Sequence, residues 1–168
     1  MITQQQIKWL IAAQGNNTAF PRLQHICVMD SKAHGHGAFC TDQFMINWIA
    51  VDDALQNGFY RAVKDQDNQY QIVPSTEEIG NWYDMDFILA PYYVSHTITW
   101  SEDMIRHIEE TNKDEKLTVF SDGHCVYTKF WKKAIGRYKD YRVTIMGNLV
   151  KVEINPKQFS IIATYMGD

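Results

Sequence analysis

The sequence predicts an α+β protein built from two helix-plus-antiparallel-meander units, with the helices packed on one face of the sheets. Three observations carry this. A short amphipathic stretch followed by runs of β-branched and aromatic residues opens the chain, and the same order returns in its last quarter. Between the two lies an acidic region without clean periodicity. Charge divides the same way: residues 1–50 hold three basic and two acidic side chains, residues 51–122 hold five and fifteen, and residues 123–168 hold eight and three. A chain of 168 residues, 45% hydrophobic, is long enough for one well-buried core. The expectation is one domain over 1–168, comprising a first unit at 1–75, an acidic connector at 76–124 and a second unit at 125–168.

In the first unit, "TQQQIKWLIAAQ" sets Ile7, Leu10 and Ile11 at helical spacing, with Gln4, Lys8 and Gln14 away from that stripe, before "GNN" stops it. This predicts a helix at about 3–14. "RLQHICVMD", "GAFCTDQFMINWIAV" and "GFYRAV" read as strands of a meander, and "QYQIVP" adds another. "SKAHGHG" and "DDALQNG" between them are turn material.

In the connector, "STEEIGNWYDMDFILAPYYVSHTITW" reads mostly as loop, with a strand near Ser95–Trp100. "SEDMIRHIEETNKDE" predicts a helix near 101–111: Ser101 is a capping residue, Glu102 and Asp103 suit the first turn, and Met104, Ile105 and Ile108 form an apolar stripe. "KLTVF" reads as a strand and "SDGH" as a turn. Trp82 and Trp100 belong either to the core or to a protein-binding surface.

The second unit carries the clearest pattern. Tyr127, Phe130, Trp131, Ala134, Ile135 and Tyr138 recur at three and four residues, while Lys129, Lys132, Lys133, Arg137 and Lys139 fall on the other face. Gly136 is placed to end this helix as a left-handed cap. "YRVTIMG", "NLVKVEI" and "FSIIATYM" follow as alternating strands joined by Gly147-Asn148 and "NPKQ".

Several of these segments resemble the bacterial and phage DNA sliding clamps, the β subunit of the replicative polymerase. "FPRLQHICV" resembles the clamp's entry into its first long strand, with Pro21 and Leu23 in the matching places. "GAFCTDQFMINWIAV" resembles the strand, Thr-Asp corner and return strand, Thr41-Asp42 being the matched pair. "GNWYDMDFILAP" is similar to the clamp connector, with Tyr83 where proline is usual. "VYTKFWKKAIGRYKDYRVTIMGN" is similar to the segment that opens the second clamp unit. "SIIATYMGD" is similar to the clamp's ending, with Met166 matched and Gly167 in place of proline. The resemblance covers most of 1–75 and 125–168 and, more loosely, 78–91. Two departures stand out: about fifty residues in the middle exceed one clamp domain, and a bacterial clamp subunit has three such domains.

The resemblance implies a non-catalytic processivity or accessory factor of phage or prophage type. It would hold double-stranded DNA by its phosphates, serve a DNA polymerase or other replication proteins, form a homo-oligomer if a ring closes, and need no cofactor. Lys129, Lys132, Lys133, Arg137 and Lys139, with Lys8 on the first helix, are the candidate DNA-binding residues. Cations near phosphates release condensed counterions and give sequence-independent, salt-sensitive binding. The plain alternative is that these lysines are only the solvated face of a surface helix.

Two other functions compete. A protein-interaction module would keep the fold without ring or DNA. A metal-dependent enzyme would use His34 and His36, with Cys40, His124 and Cys125 nearby in sequence, although no CxxC or HExxH supports it and Gly35 and Gly37 suit an exposed hairpin. No GxxxxGK[ST] or GxGxxG is present, and no acidic constellation points to catalysis. The start "MITQQQIKWL" has no signal-peptide pattern and no run of eighteen apolar residues occurs, which predicts a cytoplasmic protein away from membranes. Three cysteines, an odd number, suit reduced thiols.

Overall fold

The computed structural model describes residues 2–16, 20–77, 79, 96–99, 106–110, 115–120 and 123–164, with the backbone alone at 96–99, 106–110, 115 and 146. The chain divides into two compact units, Met1–Pro91 and Tyr92–Asp168.

The first unit opens with α1, Gln4–Ile11. Thr3 caps it: its hydroxyl accepts the Gln6 N–H at 3.1 Å, and the Gln6 side chain accepts the Thr3 N–H at 2.9 Å, so two otherwise orphaned donors are satisfied. The helix is shorter than the expected 3–14. Past Ile11 the chain tightens into single turns, Ala13 N–H to the Leu10 carbonyl and Gln14 N–H to that of Ile11, and then Gly15 bonds Leu23. The buried face is Ile7, Trp9 and Leu10. Trp9 thus takes the place of the predicted Ile11 on the buried face, and its carbonyl accepts the buried Asn47 amide at 2.8 Å.

A 3-10 turn at Pro21–Gln24 leads into β1, Ile26–Ser31, followed by β2, Gly35–Thr41, β3, Met45–Ala50, β4, Gly58–Lys64, and β5, Tyr70–Pro74. Within the unit they run β5-β4-β1-β2-β3, all antiparallel. The Thr41-Asp42 corner is tied by side chains. Asp42 Oδ1 accepts the N–H groups of Phe44 (2.9 Å) and Met45 (3.0 Å), and Thr41 Oγ1 donates to the Met45 carbonyl at 2.8 Å. These bonds hold Gln43 at a φ of 84° and make a tight hairpin. His25 is fully buried; its ring contacts the Pro21 carbonyl at 2.6 Å and the Ser75 hydroxyl at 3.0 Å. The core between α1 and the sheet gathers Leu10, Ile26, Val28, Met45 and Ile49, whereas Phe39 and Trp48, paired across β2 and β3, are buried on the sheet's other face.

The second unit contains β6, His96–Thr99, β7, Arg106–Glu110, β8, Glu115–Val119, β9, Cys125–Tyr127, the helix α2, Thr128–Ile135, and then β10, Arg142–Met146, β11, Leu149–Asn155, and β12, Gln158–Ala163. Strands β12-β11-β10-β6 are neighbours in that order, and β7-β8-β9 form a separate three-stranded sheet. The strand expected near Ser95–Trp100 is β6. The helix expected near 101–111 is not formed where the chain is described: Arg106–Glu110 is a strand. Its ladder with β8 sets Ile108 opposite Leu117 and Glu109 opposite Lys116. Three apolar residues were too few to impose a helical period once a partner strand offered a complete set of backbone hydrogen bonds. The Ser101 cap, the readings of 80–95, Trp82 and Trp100, and the chain end from Tyr165 lie outside the described residues.

Gly147, at a φ of 63°, and Asn148 turn β10 into β11, as the two-residue hairpin requires. Val143, Ile145, Val150 and Val152 alternate inward, whereas β12 is buried continuously from Gln158 to Ile162. Among the described residues no helix is long and apolar enough to cross a membrane.

Candidate nucleic-acid interface

The candidate surface rests on α2. Its inward face is buried: Thr128, Phe130, Trp131 and Ala134. Trp131 meets Phe120 edge-on at 5.4 Å and Tyr141 at 5.5 Å, and the Thr128 and Thr118 hydroxyls bond at 2.9 Å inside the unit. These contacts fix the rotation of the helix about its axis. What remains outward is basic.

Gly136 ends the helix by a route different from the one expected. Its φ is 54° as predicted, but its ψ is −124°, far from the left-handed helical region. With the Tyr138 N–H bonded to the Ile135 carbonyl at 2.9 Å, this is the glycine of a type II′ turn, which swings the chain back toward β10. Arg137 and Lys139 therefore sit just past the helix end, in the turn region.

Lys129, Lys132, Arg137 and Lys139 are exposed and Lys133 is half-buried. The Lys129 ammonium lies 5.3 Å from the Tyr127 ring centre and 5.1 Å from that of Phe130, so two aromatic faces hold its stem. Sequence reading missed this pair. Their signal was present, an aromatic on each side of the lysine, but which ring faces the cation depends on how the helix is turned.

From Gly123 to Lys139 there is no Asp or Glu. No acid within α2 offsets its cations at i,i+4 spacing. Lysines in the last turn, Lys132 and Lys133, complement the helix dipole by about 0.3–1 kcal/mol each, which outweighs the about 0.2–0.5 kcal/mol that like charges at Lys129 and Lys133 cost. The basic run is therefore compatible with a stable helix.

Lys8 is exposed on α1 of the first unit, where it is that helix's one basic side chain. The other five candidates are brought together on one short segment of the second unit.

His36, Cys27 and Cys40 take other roles. His36 is not a turn residue; it lies within β2, opposite Asp30 of β1. Its Nδ1 is 2.7 Å from Asp30 Oδ1 and its Nε2 is 2.6 Å from the Leu55 carbonyl. Both partners are acceptors, so both ring nitrogens must donate, which is the imidazolium form. The Leu55 carbonyl first, and then the Asp30 carboxylate, raise its pKa. Asp30 is lowered by its bonds to Asn57 and His36. A nitrogen engaged this way has no lone pair for a metal. Cys40 is fully buried, and burial pushes its thiol up; Cys27 is likewise pushed up, to about 12. Among the described residues no three His, Cys, Asp or Glu side chains gather as a metal site. Gly37 is buried rather than displayed on an exposed hairpin.

Two units, each a short helix packed against an antiparallel meander, define a DNA-clamp-like fold. Solved structures agree. The chain is similar to a putative DNA polymerase III beta subunit from Eubacterium rectale, with 14% identity and a TM-score of 0.52 over 98% of this chain and 62% of that one. It is also similar to the DNA polymerase III subunit beta from Borrelia burgdorferi, solved in complex with a natural product, with 9% identity and a TM-score of 0.59 over 99% and 62%. The chain spans less than two thirds of the length of either neighbour. No family model matches it, and no curated protein does.

Proposed function

We propose that this protein is a non-catalytic, clamp-type DNA-binding factor, of phage or prophage type, that acts in replication as a processivity or accessory protein alongside a polymerase. The observation that carries the reading is the cluster of Lys129, Lys132, Lys133, Arg137 and Lys139, with no Asp or Glu in the sequence between Gly123 and Lys139, on a clamp-like fold. Lys129, Lys132, Lys133, Arg137 and Lys139 contact duplex phosphates without reading sequence, and Lys8, on α1 of the first unit, is a separate candidate for the same kind of contact. Lysines on a helix whose other face is locked in a core suit a surface that must hold DNA without reading its sequence.

The test is charge reversal. Changing Lys129, Lys132 and Lys133 together to Glu leaves the buried face untouched, and retained far-UV dichroism checks that. Binding to a random-sequence duplex at low salt, read by fluorescence anisotropy, is expected to fall by at least a hundredfold. Equal binding by the variant and the parent removes the DNA role from α2.

A second reading, an interaction module that keeps the clamp fold without a ring, is favoured by one feature: along β5 the Gln4 amide engages the Tyr70 backbone and Pro74 has no N–H to offer a further strand. Absent DNA binding at low salt selects it.

A further inference from the structure

Among the described residues strand β5 ends the strand order of the first unit, and its outward backbone groups can be identified. In an antiparallel ladder, hydrogen-bonded and non-hydrogen-bonded pairs alternate. The Asp65 N–H donates to the Gln69 carbonyl and the Ser75 N–H to the Phe59 carbonyl, both at 2.9 Å, so 65/69 and 59/75 are hydrogen-bonded pairs. Counting inward along the β4–β5 register, Arg61/Val73 and Val63/Gln71 bond across the ladder. Tyr70, Ile72 and Pro74 therefore turn their backbone groups away from β4, toward the place a further strand would occupy.

Two of those three positions are closed. The Tyr70 N–H donates to Gln4 Oε1 at 2.7 Å, and Gln4 Nε2 donates to the Tyr70 carbonyl at 2.9 Å. The Gln4 side-chain amide thus sits on Tyr70 as a neighbouring strand's peptide group would. Gln4 is the first residue of α1, whose start is fixed by the Thr3–Gln6 capping box and whose body is fixed by Ile7, Trp9 and Leu10 in the core. Pro74 has no N–H to offer. Among the described residues, Ile72 alone of the three presents both a donor and an acceptor without a partner.

We infer that Gln4 and Pro74 form a plug that closes the outer edge of β5 to strand addition, so that neither a second copy of this chain nor an extended peptide continues the first unit's sheet there. Edge strands left open invite pairing, and prolines are one device against it. Here the second device is a glutamine presented by a helix. The inference rests on backbone geometry and not on the DNA reading. If the protein assembles, the assembly uses other surfaces.

Amide exchange by NMR tests this on the full chain. In the wild type, the Tyr70 amide is protected, the Ile72 amide exchanges at least tenfold faster, and neither rate changes over a hundredfold range of protein concentration. Gln4→Ala accelerates Tyr70 about tenfold, as expected for losing one hydrogen bond, whereas Gln4→Glu, which keeps the acceptor, leaves it protected. Gln4→Ala with Pro74→Val opens the edge and raises the light-scattering mass above that of the wild type at equal concentration. Protection of Ile72 that grows with wild-type concentration overturns the inference. So does a Tyr70 rate unmoved by Gln4→Ala, or an unchanged mass for the double variant. DNA binding is not read in any arm, so failure here leaves the α2 proposal standing.

Discussion

One methyl group added at Gly37 displaces the largest side chain in the first unit's core. A Cβ at that position would lie 2.1 Å from Cζ2 of Trp48, 2.4 Å from Cε2 and 2.7 Å from Cη2. The indole must withdraw by about 1.3 Å to reach the 3.4 Å of ordinary contact. It has little room to do so: Trp48 is 1% exposed and lies opposite Phe39 in the β2–β3 register, with the two rings nearly parallel and 6.2 Å apart. Overpacking of this kind costs about 1–3 kcal/mol, and disturbing the aromatic pair adds about 0.5–1.5 kcal/mol. Gly37→Ala is therefore expected to destabilise the protein by about 2–4 kcal/mol, measured by urea unfolding with the slope unchanged. The mechanism makes a sharper demand. With Trp48→Leu the added methyl has space, so the double variant is expected to be about 1–2 kcal/mol more stable than the two single effects added together. A Gly37→Ala protein within 0.5 kcal/mol of the parent, or strictly additive effects, refutes the reasoning.

Other outcomes follow from the same contacts. Trp131→Ala removes a 2%-exposed side chain and both of its edge-on ring contacts. It is expected to cost about 3–5 kcal/mol in denaturant unfolding. The His36–Asp30 pair gives a pH signature. His36 is raised above its ordinary 6.5, so its contribution is complete below that value and disappears as pH rises through the folded-state value; Asp30 is lowered from 3.8, so its share disappears as pH falls through its own. The midpoint of thermal unfolding is expected to decline on the alkaline side in the parent, and that part of the decline is expected to be absent from His36→Gln. A parallel alkaline limb in the two proteins contradicts the imidazolium assignment.

Much of this was readable in the residues. The period of Phe130, Trp131 and Ala134 set both faces of α2, because a helix with a strong stripe has one way to bury it. Thr41-Asp42 marked its corner because both side chains satisfy backbone groups within four residues. The failures came where a partner, near or far, decided the outcome. Arg106–Glu110 became a strand through pairing with Glu115–Val119, across four intervening residues, although Met104, Ile105 and Ile108 have helical spacing. Gly37 resembled a turn glycine beside Gly35, but it is needed because an indole eleven positions on packs against its backbone. His36 resembled a ligand until register placed Asp30 opposite it and Leu55 beyond. At the candidate site the cations were legible by type and spacing, whereas the ring faces under Lys129 and the II′ turn at Gly136 needed the folded chain.

The dependence of duplex binding on salt is the most direct measure of the central claim. If Lys129, Lys132, Lys133, Arg137 and Lys139 each neutralise one phosphate, the logarithm of the binding constant falls linearly with the logarithm of salt concentration, with a slope of about −4.5. That slope is expected for a duplex of any sequence, and it becomes shallower by about 2.7 or more when Lys129, Lys132 and Lys133 are replaced by Glu. A slope near zero, or one the triple change does not move, contradicts the claim.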